Sequence, residues 1–344
     1  MASTAKTLTF VIPAYNMESY LDRCVNSLLS ASDISDLEVL IVDDGSKDGT
    51  LEYARKLERT NPGAVRAIHQ ENKGHGGAVN TGIAAASGMY VKVVDADDWV
   101  GPESLEQVMA VLRGEVGKDE PLDMLVTNYV YDKVGKRNKH VVNFRHAMEP
   151  GRRLTWDDLG HFGLTEYILM HALIYRTAVV RESKMQLPEH TFYVDFIYAY
   201  QPFPWVKSLQ YVDTPFYHYF IGRDGQSVQT DVMIRRVDQL RLVNQCMVRA
   251  TPERGTVPDG LYRYMIHFLA IESSVASVFM ILSRDHANYE KKKQLWADIE
   301  AYSPTIYKDV RKKAMSRALN LHGSLGRFVI RKGYFVAEHV VGFN

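Results

Sequence analysis

The 344-residue chain contains 41 Lys and Arg against 41 Asp and Glu, and 46% of its residues are hydrophobic. This composition predicts a soluble globular protein with a sizeable core, and it excludes the strongly basic balance that is typical of nucleic-acid-binding proteins. We expect no signal peptide before Thr7 and no membrane span, because no uninterrupted apolar stretch reaches the ~18 residues that a span needs. Cys24 and Cys246 lie in apolar helical patterns, so we expect buried free thiols and a cytoplasmic location.

The first third of the chain alternates between strand and helix patterns. Short β-branched and apolar runs predict strands, and apolar residues at helical spacing predict amphipathic helices. Such alternation predicts an α/β fold with a mostly parallel central sheet and helices on both faces. In chain order we predict a strand at 8–13, a helix at 18–29, strands at 37–42 and 65–68, a helix from about Ala78, a strand before Asp95 and a helix at 102–112.

Two of the predicted strands end in acids, Asp43-Asp44 and Asp95-Ala-Asp97-Asp98. Because ligands of such sheets bind beyond the carboxyl ends of the strands, we expect these acids to face one crevice. Neighbouring carboxylates repel one another unless a cation or hydrogen-bond donors compensate, and Mg²⁺ or Mn²⁺ suits carboxylate oxygens. The alternative is a solvated turn, with Asp98 capping the helix after Pro102.

A glycine-rich stretch, Asn72-Lys-Gly-His-Gly-Gly77, precedes the third predicted helix. Its glycines would let backbone amides approach a ligand, although a permissive turn is the alternative. The stretch has neither the phosphate-loop spacing nor the dinucleotide-binding spacing.

Four segments in order carry a family resemblance: Phe10–Asn16, Val42–Thr50, Asn72–Gly82 and Asp95–Trp99. Together they resemble the signature of the inverting family 2 glycosyltransferases of bacterial cell-surface glycan type, over roughly residues 7 to 225. The resemblance implies a GT-A, Rossmann-like fold and a nucleoside diphosphate sugar donor, most often a uridine one. It implies that Asp97 binds Mn²⁺ or Mg²⁺. It also implies that Asp44 contacts the base of the nucleotide, with Asp43 as the alternative. The residues predicted to bind the nucleotide sugar are Pro13, Tyr15, Asn16, Asp43, Asp44, Asn72, Gly76, Asn80, Asp95, Ala96 and Ser227.

An inverting transfer needs a general base for the acceptor hydroxyl. The family commonly carries Glu-Asp where this chain has Val194-Asp195, which leaves Asp195 as the predicted base. Glu189 and His190 are alternatives, and Asp195 could instead cap a helix at 196–200. His171 lies in an apolar run, where a satisfied core histidine is the more frequent outcome.

The aromatic stretch Tyr217–Val228 also resembles a family feature. Arg223 offers a fork of donors that could stabilise the diphosphate as it leaves, although it could equally pair with Asp224. Ser227 adds a smaller donor, and His218 is a weaker candidate for the metal.

From Met233 onward the patterns become helical, at 234–250, 260–282 and 287–302, with a break at 251–259. We therefore predict a catalytic domain at 1–228 and a helical domain at 229–344. Basic and large apolar residues alternate from Phe328, which is typical of segments on an anionic membrane. A solvated face, a homo-oligomer contact and an acceptor-docking surface are the alternatives.

These observations predict a metal-dependent inverting glycosyltransferase that acts on a glycan, lipid-linked or polymer acceptor, with no nucleic-acid partner. It would lie in the cytoplasm, with the inner face of the cell membrane as an option. A nucleotidyltransferase and a non-catalytic sugar-nucleotide-binding subunit are the competing hypotheses. The missing Glu at Val194 motivates the second of these.

Overall fold

A computed structural model describes residues 5–133, 139–222, 229–320 and 323–337. The chain divides into two compact units. The first comprises Met1–His161 and Ile168–Ile221, and the second comprises Phe162–Tyr167 and Gly222–Asn344. The short stretch Phe162–Tyr167 therefore groups with the helical end of the chain rather than with its sequence neighbours.

The first unit is built on a ten-stranded sheet. Its strands are β1 (Leu8–Ala14), β2 (Leu37–Asp44), β3 (Val65–Gln70), β4 (Tyr90–Val93), β5 (Trp99–Val100), β6 (Met124–Lys133), β7 (His140–Val142), β8 (Arg153–Leu154), β9 (Leu173–Arg176) and β10 (Leu209–Ile221). The main path is β3-β2-β1-β4-β9-β6-β10-β5, while β7 pairs with β6 and β8 with β10.

Six strands run in one direction: β1 to β4, β6 and β10. β9 is antiparallel to both of its neighbours, β4 and β6. The carboxyl ends of β1, β2, β3 and β4 therefore meet at one edge of the sheet, which is where the sequence places its acids.

Six helices belong to this unit: α1 (Glu18–Leu28), α2 (Thr50–Thr60), α3 (Gly74–Ala85), α4 (Pro102–Arg113), α5 (Thr177–Glu182) and α6 (Asp195–Tyr200). The predicted strands and helices of the first 113 residues are confirmed, with one correction. α3 begins at Gly74 rather than near Ala78, so the glycines form its first turn. β1 and β2 are buried at every position, which is why both read as continuous apolar runs.

The second unit is helical, as predicted for this end of the chain. Its helices are α7 (Thr230–Arg235), α8 (Val237–Ala250), α9 (Asp259–Leu282), α10 (His286–Tyr302), α11 (Pro304–Lys312), α12 (Ala314–Leu319) and α13 (Gly323–Ala337). α9 packs against each of the other six. By length and composition alone α9 could cross a membrane, yet 78% of its apolar window is buried within the chain, as in the core helix of a globular unit.

Both cysteines of the chain are free thiols. Cys24 is fully buried, as expected, whereas Cys246 is only partly buried. Burial and the charges of Asp98, Asp97 and Asp95 raise the pKa of the Cys24 thiol well above its ordinary value, which makes it a packing residue rather than a nucleophile.

Candidate active site

Asp43 and Asp44, at the end of β2, are both buried. Asp43 Oδ2 lies 2.7 Å from His69 Nδ1 on β3. Asp44 Oδ1 accepts hydrogen bonds from Gln70 Nε2 and from the Lys73 backbone N–H, at 2.7 and 2.8 Å. The other oxygen of Asp43, Oδ1, accepts a hydrogen bond from the Ser46 N–H at 3.4 Å. Both carboxylates are therefore held by protein groups, and Asp44 fixes the chain that leads into α3.

Asn16, on the loop after β1, has a left-handed backbone with φ of 54°. Its Oδ1 accepts a hydrogen bond from the Lys47 N–H, and its own N–H donates to Ser46 Oγ. Pro13 is buried and Tyr15 is 41% exposed. The loops that follow β1 and β2 are thus joined, with the Tyr15 ring open to solvent beside them.

The glycines of α3 pack against a distant segment of chain. A Cβ atom on Gly74 would lie 2.8 Å from the His190 backbone, and one on Gly76 would lie 2.5 Å from the Pro188 carbonyl oxygen. Asn80 closes the same contact, because its amide donates to the Leu187 carbonyl and accepts from the Leu187 N–H, at 2.9 and 3.0 Å.

Three of the residues that we predicted to touch the nucleotide sugar make contacts within the protein. Gly76 and Asn80 hold the segment at 187–190, and the amide of Asn72 donates to the Asp44 carbonyl oxygen at 2.8 Å. The close approach expected from the glycines is real, but in the structure the partner is protein backbone. No sequence pattern identifies that partner, because it lies 107 residues away from Asn80.

The segment held by α3 leads directly to Asp195. His190 and Tyr193 have left-handed backbones with φ of 50° and 66°, a conformation that is costly for non-glycine residues and is concentrated at functional sites. Phe192 between them is 38% exposed. Asp195 is the first residue of α6, and Val194, the departure from the family pattern, is buried.

Burial raises the pKa of the Asp195 carboxyl to about 6. The charge of His75 opposes this rise, while the charge of Asp95 adds to it. Glu189, one alternative base, is an exposed residue whose carboxylate lies 3.8 Å from Lys73 Nζ. Asp195 is therefore the carboxylate that the structure places among the charged groups of the site.

His75 is a site residue that the sequence analysis missed. It lies in the first turn of α3, and its Nε2 is 2.9 Å from Asp95 Oδ1. Burial lowers its pKa, but the hydrogen bond to Asp95 and the charges of Asp95, Asp195 and Asp97 raise it above the ordinary histidine value. The acids around His75 thus favour its protonated form. A histidine among glycines before a helix was the available signal in the sequence.

The acids that follow β4 occupy distinct environments. Asp95 is partly exposed, and the adjoining Ala96 and Asp97 are buried. The Asp97 carbonyl oxygen accepts a hydrogen bond from Arg23 at 2.7 Å. Asp95 and Asp97 therefore border the crevice from the end of the strand.

Asp98 is not the helix cap that we considered. It is fully buried, and it accepts hydrogen bonds from the Tyr217 hydroxyl and from the Phe220 N–H. Burial and the charges of Asp97 and Asp95 raise its pKa well above the ordinary value. Asp98 ties the acidic segment to β10.

His171 is the histidine that lies beside the acids. One donor atom each from Asp95, Asp98 and His171 all lie within 4.8 Å of one another. The His171 ring packs against Tyr217 and Tyr219, at centroid distances of 4.9 and 4.5 Å. Its buried Nδ1 has no hydrogen-bond partner in the described part of the chain, which corrects the expectation of a satisfied core histidine.

His218 is turned away from this cluster. Alternate residues of a strand point to opposite faces, and His218 stacks on Trp99 at 5.2 Å while Tyr217 reaches Asp98. Its Nδ1 lies 3.3 Å from Asp132 Oδ2. The weaker candidate for the metal is therefore replaced by His171. Arg223 and Ser227 lie outside the described residues.

The donor set fits a divalent cation. It offers the carboxylates of Asp95 and Asp98 together with the His171 imidazole, whose Nδ1 has no hydrogen-bond partner among the described residues. Burial lowers the pKa of His171 to about 4, so its ring is neutral and can act as a ligand at physiological pH. Carboxylate oxygens and neutral imidazole are both ordinary ligands of first-row divalent metals.

Residues 9–176 match the model of glycosyl transferase family 2. The putative glycosyltransferase EpsH of Bacillus subtilis is 26% identical over 233 residues, 62% of this chain and 60% of EpsH, so the chain spans less than two thirds of that relative. A crystal structure of S. aureus TarS 1–349 covers 95% of this chain and 92% of its own, with a TM-score of 0.66 at 19% identity.

TarS has also been solved in complex with UDP-GlcNAc, where the TM-score is 0.65. The mannosyltransferase PcManGT of Pyrobaculum calidifontis, in complex with GDP-Man and Mn²⁺, matches at a TM-score of 0.54 and 15% identity, over 95% of this chain and 87% of its own. These likenesses confirm the predicted GT-A fold. Residues 9–176 therefore form a glycosyl transferase family 2 domain within this chain.

Proposed function

We propose that this protein is an inverting glycosyltransferase that moves a sugar from a nucleoside diphosphate sugar, of the uridine type, to a hydroxyl group of a glycan, lipid-linked or polymer acceptor. One observation carries the proposal. Asp195, on the strained segment held by α3, lies close enough to His75 and Asp95 for their charges to shift its pKa. The candidate base thus lies within the electrostatic reach of Asp95 and of its partner His75.

Asp195 would act as the general base. Its carboxylate accepts the proton of the acceptor hydroxyl while that oxygen attacks the anomeric carbon, and the bond from this carbon to the diphosphate breaks on the opposite face. A pKa of about 6 suits this task, because the group is ionised at neutral pH and yet more basic than an ordinary aspartate.

Asp97, the residue on which the family resemblance places the metal, would hold Mg²⁺ or Mn²⁺ together with Asp95. His171, which lies with Asp95 and Asp98, would add an imidazole nitrogen. When bound, the cation would supply positive charge to the departing diphosphate. The roles of Arg223 and Ser227 at the leaving group stay predictions.

His75 would keep Asp195 ionised by supplying a neighbouring positive charge. In His75→Gln this charge is lost, so the pKa of Asp195 should rise. We therefore expect the acidic limb of the kcat/KM profile, near pH 6 in the wild type, to move to higher pH. The measurement is transfer or donor hydrolysis from pH 5 to pH 9. His69→Gln, beside Asp43, is the matched control and should leave that limb in place.

The donor assignment is tested by thermal shift with a panel of nucleotide sugars, with and without Mn²⁺. A ligand that binds only the native state raises the apparent stability by mass action. In Asp97→Ala we expect the Mn²⁺-dependent part of the donor shift to be lost, whereas Asp119→Ala, an exposed acid, should keep it. An unchanged Mn²⁺ response in Asp97→Ala would contradict the metal assignment.

Product analysis then separates the competing enzymes. A glycosyltransferase releases a nucleoside diphosphate, whereas a nucleotidyltransferase releases pyrophosphate. Donor binding with neither transfer nor slow donor hydrolysis would instead favour a non-catalytic binding subunit.

A further inference from the structure

A groove of about 590 Å³ lies among α10, α11 and α12 of the helical unit. Four of its lining residues are basic, namely Lys308, Arg311, Lys312 and Arg317, and one, Glu300, is acidic. The whole stretch from Ile281 to Asn344 has 12 Lys and Arg against 6 Asp and Glu. The groove thus concentrates the basic excess of this end of the chain.

Most of these cations have no carboxylate partner among the described residues. Arg311 lies over the rings of Trp296 and Tyr307, at 5.4 and 5.9 Å from their centroids. Lys308 is exposed and forms no ion pair with any described residue. Arg317 donates a hydrogen bond from its Nε to the Lys312 carbonyl oxygen at 2.8 Å. Their charged groups are therefore available to a ligand.

The fourth cation is partly neutralised. Lys312 Nζ lies 3.3 Å from Asp309, a buried carboxylate that also pairs with Arg254 and accepts the Tyr262 hydroxyl. One shared acid behind the groove leaves a net positive surface in front of it.

Two further cations, Lys292 and Arg327, belong to the same cluster of positive charge as Arg311. Burial, followed by the charges of Arg311 and Arg327, lowers the pKa of Lys292 to about 8. Its Nζ finds only the side-chain oxygen of Asn320, at 3.2 Å. Like charges that repel one another without a compensating acid are stabilised when an anion binds.

Neighbouring residues show that this arrangement is local. On the same helix as Lys292, Lys291 pairs with Asp238 and Lys293 pairs with Glu290, each at 2.7 Å. Arg241 pairs with Asp298 at 2.9 Å. These three cations therefore each have a carboxylate partner, whereas Lys308, Arg311 and Arg317 of the groove have none among the described residues.

The chemistry favours a phosphate group. Several donors directed at one space suit a tetrahedral anion with several acceptor oxygens, and a guanidinium fork binds phosphate in bidentate geometry. The exposed apolar residues that would enter a bilayer, Phe328, Val329 and Phe335, lie on α13 and not in the groove lining.

We propose that this groove binds the phosphate groups of a linear polyanion, and that it thereby docks a phosphate-bearing polymer acceptor. The proposed binding of a polyanion depends only on the groove. The proposed role of that polyanion as the acceptor rests on the proposed glycosyltransferase function. The lining cations and the Tyr307 ring are the recognising groups, and one phosphate would lie between Lys308, Arg311 and Arg317.

The test is calorimetric titration of the full chain with sodium polyphosphate, without donor. Lys308→Gln and Arg317→Gln change exposed side chains, so both variants should fold normally. We expect each to weaken binding about five- to tenfold, as for the loss of one charge-assisted contact. Lys293→Gln, a paired cation beyond the groove, is the matched control and should stay within about twofold. Arg311→Lys should weaken binding less than Arg311→Gln.

Several results would overturn the proposal. These are no heat with polyphosphate at millimolar concentration, equal weakening in Lys293→Gln, equally tight binding of polygalacturonate, or binding of phosphatidylglycerol vesicles without polyphosphate binding. Because donor is absent, failure here leaves the transferase proposal intact. Conversely, normal polyphosphate binding in a protein without transfer would leave the groove intact and remove its acceptor role.

Discussion

Asp195→Asn should lower kcat for transfer about 10²- to 10⁴-fold, the range of a lost general base, while the thermal shift produced by donor stays unchanged. The amide keeps the size of the carboxylate but cannot take a proton from the acceptor hydroxyl. Steady-state kinetics with donor and a competent acceptor, alongside donor binding by thermal shift, measure both quantities. The pair of results separates loss of chemistry from loss of binding.

Glu189→Gln is the control for this experiment. Glu189 is exposed on the same segment, and its partner is the surface residue Lys73, so its removal should change kcat by less than about twofold. If Glu189→Gln abolished transfer and Asp195→Asn did not, the base would be Glu189 and the burial argument for Asp195 would be wrong.

Glu272→Gln should make the protein more stable at alkaline pH. Glu272 is fully buried in α9, where its Oε2 accepts a hydrogen bond from Asn244 Nδ2, and its Oε1 has no partner. Burial raises its pKa to about 8. The folded protein therefore holds the proton more tightly than the unfolded chain, whose glutamates titrate near pH 4.

The sign of the effect follows from linkage. The contribution of the neutral form is fully present below about pH 4 and is lost as pH rises towards 8, for a total of about 3 to 5 kcal/mol. Glutamine has no proton to lose, so the variant should match the wild type near pH 5 and exceed it at pH 9.

Thermal unfolding of both proteins at the two pH values measures this difference. Glu253→Gln, an exposed change in the same unit, should show no pH-dependent gain. A gain for Glu272→Gln that is equal at both pH values would mean that Glu272 is ionised throughout.

Much of the fold could be predicted because its signals are local. β1 and β2 consist mostly of apolar residues, and α1 places Leu21, Cys24, Val25 and Leu28 on one buried face. The sheet order could not be predicted in the same way. β9 lies between β4 and β6 and runs antiparallel to both, and only tertiary packing decides where a four-residue strand inserts.

The candidate site, too, was predictable where its signals are local and unpredictable where they depend on tertiary contacts. Its acids were found because they end strands, and strand ends meet at one edge of the sheet. His171 and Asp98 were misassigned because their environment comes from Tyr217, Tyr219 and Phe220 on β10, more than 40 residues later. Lys92 was also overlooked. Lys92 is fully buried, and its Nζ donates hydrogen bonds to the carbonyl oxygens of Met170, His171 and Leu173. These bonds attach the turn that contains His171 to strand β4.

The contact between α3 and residues 187–190 has a practical meaning for protein engineering. A chimaera that receives a foreign 187–195 segment, to change the acceptor, would set new atoms against Gly74 and Gly76, where no room for a Cβ exists. It would also lose the register that Asn80 imposes on Leu187. Residues 73–80 and 187–195 are thus one exchangeable cassette, and a graft should carry both pieces.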